Sequence, residues 1–142
     1  MKTSVWLGSV IFLLGSQALY AGASCVVAKK LGNSLAIEWV ASADVSAADA
    51  INQAKQKLLE QGWRGRYQDA HPQASSELSH AHMVIVKTQY KTLIGKQRTS
   101  YGCGYSARSI QEAGEAALRD LQNYSWGWKP EFGYKVVESF RY

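Results

Sequence analysis

Proline is nearly absent, with two in 142 residues, and charged residues make up only 19% of the chain. With a hydrophobic share of 46%, this composition excludes a disordered chain, a collagen-like one and a coiled coil, because there is enough apolar surface to build a packed core. Long apolar runs are missing beyond the first residues, which excludes a polytopic membrane protein. The length allows one ordinary domain and excludes a large multidomain enzyme.

Familiar catalytic frameworks are missing too. The chain has no G-x-S-x-G elbow, no phosphate-binding Gly-Lys-Ser/Thr loop, no H-E-x-x-H and no dinucleotide fingerprint ahead of a helix. Gly102-Cys103-Gly104 is a fragment of a Gly-rich loop, but it lies in a strand-like setting and no phosphate-site lysine follows it. Glu38, Asp44, Glu131 and Glu138 read as solvated surface groups, although a pair brought together in space is invisible at this level. Nothing here argues for an enzyme, and no cofactor is implied.

What is present begins with an export signal. Lys2 supplies a positive start, Val5 to Leu14 an apolar stretch broken only by Gly8 and Ser9, and Ala21-Gly22-Ala23 an A-x-A cleavage signal. Residues 1–23 therefore read as a secretory signal peptide, with cleavage after Ala21 as the neighbouring alternative. Ten core residues fall short of the ~20 that span a bilayer, so a membrane anchor is not expected and the mature chain has no span. Gly22-Ala23-Ser24-Cys25 also has the outline of a lipoprotein signal, but Gly22 stands where an apolar residue such as Leu belongs. The expected location is periplasmic or secreted.

Removing Lys2 leaves a mature chain, 24–142, with 15 basic and 11 acidic residues and with two cysteines, Cys25 and Cys103. Two cysteines in an oxidising compartment point to one disulfide.

The expected fold is α+β, a mostly antiparallel sheet with two helices on one face. Ser46-Ala47-Ala48-Asp49 and Ser109-Ile110-Gln111-Glu112 are capping boxes that open helices with Ala54 and Leu58, and Ala117 and Leu121, on one face. The two stretches align at an offset of 63 residues, which also superposes Gly32 on Gly95 and Trp63 on Trp126. This suggests an internal ββα duplication over about 24–63 and 83–142, joined by a polar linker at 64–82. Strands are expected at Cys25–Leu31, Leu35–Val40, Met83–Tyr90, Lys96–Tyr105 and Tyr134–Tyr142. The small alanines would let each helix lie close on the sheet. By its repeat position Trp126 belongs in the core, with Trp128 open.

The overall layout resembles that of small exported bacterial domains of unknown function: signal peptide, hairpin, Ala-rich helix and few cysteines. That resemblance covers architecture alone and implies no activity and no site residues.

Three constellations bear on function. His71, His80 and His82, with Asp69 and Glu77 nearby, are weak metal candidates, since His80 and His82 would share one face of a strand. Between Glu77 and Glu112 no acidic residue occurs, whereas Lys87, Lys91, Lys96, Arg98 and Arg108 do, interleaved with Tyr90, Tyr101 and Tyr105. Lys91, Lys96, Arg98 and Tyr101 are therefore candidates for holding an acidic envelope protein or an anionic envelope polymer. The last 19 residues carry seven aromatics, among which Trp128, Tyr124 and Tyr134 are candidates for glycan stacking. An exported chain of such modest charge is not read as a nucleic-acid binder. The expected function is that of an exported, non-enzymatic binding protein that modulates another envelope protein, the alternatives being a cell-wall or glycan-binding module or a small metal-dependent enzyme.

Overall fold

The computed structural model describes residues 21–63 and 69–142, with the backbone alone at Asp69 and His71. Among them a ββαβ unit occurs twice. The first runs β1 (Gly22–Lys30), β2 (Asn33–Ser42), α1 (Ala47–Glu60) and β3 (Asp69–Ser76). The second runs β4 (His82–Lys91), β5 (Gln97–Ser106), α2 (Ile110–Tyr124), a short 3-10 turn (Pro130–Phe132) and β6 (Lys135–Arg141). Each unit makes its own antiparallel three-stranded sheet, ordered β2-β1-β3 and β5-β4-β6. The α+β class and the antiparallel pairing are as expected.

Period-two alternation assembles four layers from these units. Ala23 and Cys25 of one sheet meet Met83, Ile85 and Cys103 of the other in an inner core, with Trp39, Tyr105 and Phe140 packed around them. On the opposite pleats, Val26 and Ala28 face Ala54 and Leu58 of α1, while Val84 and Val86 face Ala113, Ala117 and Leu121 of α2. Each helix thus covers the outer face of its own sheet. The disulfide between Cys25 and Cys103 spans the inner core, with Cα atoms 6.6 Å apart. The sulfur that a lipoprotein signal would modify is therefore bonded inside the protein.

Both helices start where the capping serines stand. Ser46 Oγ accepts the Asp49 N–H at 3.0 Å, and Ser109 Oγ accepts the Glu112 N–H at 3.1 Å. The reciprocal half of the second box is diverted, since Glu112 Oε2 accepts instead from Ser106 Oγ at 2.7 Å and Arg108 Nε at 3.0 Å. Buried positions repeat at the 63-residue offset: Ala50, Ala54 and Leu58 in α1, and Ala113, Ala117 and Leu121 in α2.

Gly102 and Gly104 have a structural task. A Cβ on Gly102 would lie 2.1 Å from the Ala117 carbonyl oxygen, and one on Gly104 2.1 Å from that of Ala113. The helix backbone rests directly on the strand backbone, which only glycine permits.

The stretch 64–82 departs from the linker reading, because it contains β3. Its sequence, Asp-Ala-His-Pro-Gln-Ala-Ser-Ser, has neither apolar alternation nor β-branched residues, and Pro72 cannot donate to a ladder. It forms a strand because it is an edge strand paired only to β1. Each strand pairing of this kind carries a register shift, at Cys25/Val26 in one unit and Ile85/Val86 in the other. The repeat is therefore ββαβ, one strand longer than expected.

Candidate functional site

Three chain reversals meet at one end of the molecule and enclose a groove of about 560 Å³. Its floor is the ring of Tyr90 stacked on Phe132, with centroids 5.5 Å apart and planes within 5°. Tyr90 is held in turn by its hydroxyl, 2.8 Å from Ser125 Oγ. One wall is the β4–β5 turn, closed by Thr92 N–H to Lys96 O and Gly95 N–H to Thr92 O, both 2.9 Å. Leu93 and Ile94 stand outward from it. The segment following α2 forms the second wall, and Gly32 of the β1–β2 turn forms the edge. Arg98 ties two of these reversals together, its guanidinium donating to Leu31 O at 2.6 Å.

The lining contains Lys91, Lys96, Arg98 and Lys129 and no carboxylate. The three cations singled out from the acid-free stretch are therefore brought together, and Lys129 joins them from a loop more than thirty residues away in sequence. Lys129 carried no signal in sequence, because its proximity exists only in the folded chain.

Tyr101 lies elsewhere. It is three residues from Arg98 on β5, so the strand alternation turns the two side chains to opposite faces, and Tyr101 is only 7% exposed. Burial holds its phenol above the usual tyrosine range.

The tryptophans exchange the roles that the repeat suggested. Trp126 is 97% exposed and lines the groove, whereas Trp128 is 7% exposed in the core beside α2. The cause is local. Trp63 stands three residues past the end of α1, and its N–H bonds back to Leu58 O at 3.1 Å. After α2, Trp128 N–H bonds to Ser125 O at 2.8 Å, a turn that leaves Trp126 at its apex and returns Trp128 to the sheet. Trp128 Nε1 then donates to Gly133 O at 3.1 Å. Of the other aromatic candidates, Tyr124 lines the groove, and Tyr134 is exposed outside it.

Behind Tyr124 lies a half-buried charged pair. Lys29 Nζ sits 4.5 Å from the Tyr124 ring centroid, and its pKa is lowered by burial, with the charge of Asp120 opposing that shift. Asp120 Oδ2 accepts the Cys103 N–H at 2.8 Å and Gln73 Nε2 at 3.0 Å. Burial nevertheless raises its carboxyl above the ordinary range. These contacts close the free edge of β5 and are structural.

Among the described residues no group of three His, Cys, Asp or Glu side chains is placed to hold a metal ion. His80 and His82 flank the buried Ala81 at the start of β4, and the side chains of His71 and Asp69 lie outside the described residues. No helix among them is long and apolar enough to cross a membrane. Comparisons with protein-family models, with curated proteins and with solved structures found no match.

Proposed function

We propose that this is an exported binding protein whose working surface is the three-turn end, where it holds an acidic component of the cell envelope. The observation that carries this reading is the groove itself: four cations, exposed Leu93, Ile94 and Trp126, and no lining carboxylate. Exposed apolar tips are costly in solubility and contribute little to the fold, so binding is the simplest explanation of such tips set among cations. Export is supported by the leader pattern and by the intramolecular disulfide.

The test is retention of envelope components on the immobilised, oxidised protein at low and moderate salt, beside the same protein carrying Lys91→Glu and Lys96→Glu. Both lysines are exposed, so charge reversal leaves the fold intact. Salt-sensitive retention that the double variant abolishes supports the reading, and retention indifferent to it removes this end from consideration. Retention on peptidoglycan alone, lost in Trp126→Ala, would favour the glycan-binding alternative.

A further inference from the structure

We infer that the acidic component met by the three-turn end is the surface of an anionic phospholipid bilayer. The turn tips enter the interface and the surrounding cations meet the headgroup phosphates. This rests on the three-turn end being the working surface.

The first support is position. Leu31 at 76% exposure, Ile94 at 78%, and the almost wholly exposed Leu93 and Trp126 are the four most exposed large apolar residues among those described. All four stand on chain reversals at the same end: Leu93, Ile94 and Trp126 line the groove, and Leu31 adjoins Gly32 at its edge, its carbonyl bonded by Arg98. Side chains that project from convex tips offer a rigid protein partner little complementary shape. A fluid interface needs none, and tryptophan is favoured at that depth.

The second support is the backbone at Leu31. The β1–β2 loop has two residues, Leu31 at φ +50° and Gly32 at φ +76°. A hairpin loop with both central residues left-handed favours Asn or Asp at the first position. Leucine there strains the backbone and packs against little, so it serves the fold poorly on both counts.

Charge is the third support. Lys30 flanks Leu31, Lys91 and Lys96 flank the Leu93–Ile94 tip, and Lys129 follows Trp126, all of them exposed. Apolar tips ringed by flexible cations match an anionic interface, in which the tips sit below the headgroups and the ammonium groups sit among the phosphates.

The experiment uses the oxidised mature chain with vesicles of phosphatidylcholine, and with vesicles in which one quarter of the lipid is phosphatidylglycerol. Cosedimentation is expected with the anionic vesicles only, and it should weaken tenfold or more between low and physiological salt, by roughly fivefold per cation engaged at low salt. Leu93→Ser with Ile94→Ser should lower partitioning by about tenfold or more while the circular dichroism spectrum stays native. Tryptophan emission should shift to the blue on binding, and Trp126→Phe should remove that shift. Equal binding to both vesicles, full binding by the serine variant, or a shift that persists in Trp126→Phe overturns the inference. If anionic vesicles are not bound but another envelope component is, and Lys91→Glu with Lys96→Glu releases it, the lipid surface is wrong and the binding end stands. If nothing is retained, both fall.

Discussion

Cys25 and Cys103 lie 78 residues apart in sequence and join the central strand of one sheet to an edge strand of the other. Apart from packing, the sheets are held to each other by side-chain hydrogen bonds such as Tyr105 Oη to Ala74 O at 2.9 Å. In the chain-entropy account, closing so long a loop stabilises the fold by about 4–5 kcal/mol. Cys25→Ala with Cys103→Ala should lose about that much in urea unfolding. Loss of two-state behaviour, with one ββαβ unit melting first, would show that the bridge also couples the units.

The contact of α2 with β5 predicts opposite effects from the same chemical change. Gly104→Ala forces a methyl into the Ala113 carbonyl and should cost about 3 kcal/mol or more. Gly114→Ala, inside α2 with nothing within 4 Å of its added Cβ, should stabilise by up to about 1 kcal/mol. Thermal melts of the two variants beside the parent protein check both signs.

Asp120 gives a pH signature. Its carboxyl is raised by burial, against the Cys103 N–H, Gln73 and Lys29, which favour the charged form. A folded value above the unfolded one means that the folded state holds its proton longer. The resulting stabilisation is complete below the unfolded pKa and disappears as pH climbs through the folded one. Asp120→Asn keeps an oxygen for both hydrogen bonds and removes the titration. The difference in urea midpoint between the parent and this variant should therefore change across the acidic range, moving against the parent as pH rises, and level off above it. A difference constant with pH would show that burial does not perturb this carboxyl.

Leu31→Asn should raise stability by about 1 kcal/mol, since asparagine tolerates the left-handed region that leucine strains. The same change should weaken vesicle binding. A stability gain with undiminished binding would separate Leu31 from the proposed binding end.

The strand β1 bears on the point of cleavage. Gly22 pairs with Ser42, Ala23 pairs with both Ala41 and Ser76, and Ala23 is buried. Cleavage after Ala23 would remove both residues from the ladder, whereas cleavage after Ala21 leaves it whole. The intact mass of the chain after signal removal is expected to correspond to an N-terminus at Gly22, and a mass beginning at Ser24 would refute this.

The helices and hairpins were legible because their signals are local. The capping serines, the alanines four apart and the glycines of the turns act within one turn of chain, and the structure places them where the pattern did. The 63-residue offset was legible for the same reason. It did not extend to β3, whose residues have no strand pattern and whose only ladder partner is β1. It also failed at Trp126, where a single turn after α2 redirects two side chains.

The cysteine count and compartment implied one disulfide without a structure. That the bridge pins two separate sheets, and that each helix lies on its own outer face, was decided by long-range packing of the inner core. The same holds for the end proposed as the working surface. The acid-free run marked Lys91, Lys96 and Arg98, because charge is countable along a chain. Adding Lys129, Leu31 and Trp126 to them, and withdrawing Tyr101 and Trp128, required tertiary structure. Which turns meet at one end, and which way each side chain points there, depends on contacts between residues far apart in sequence.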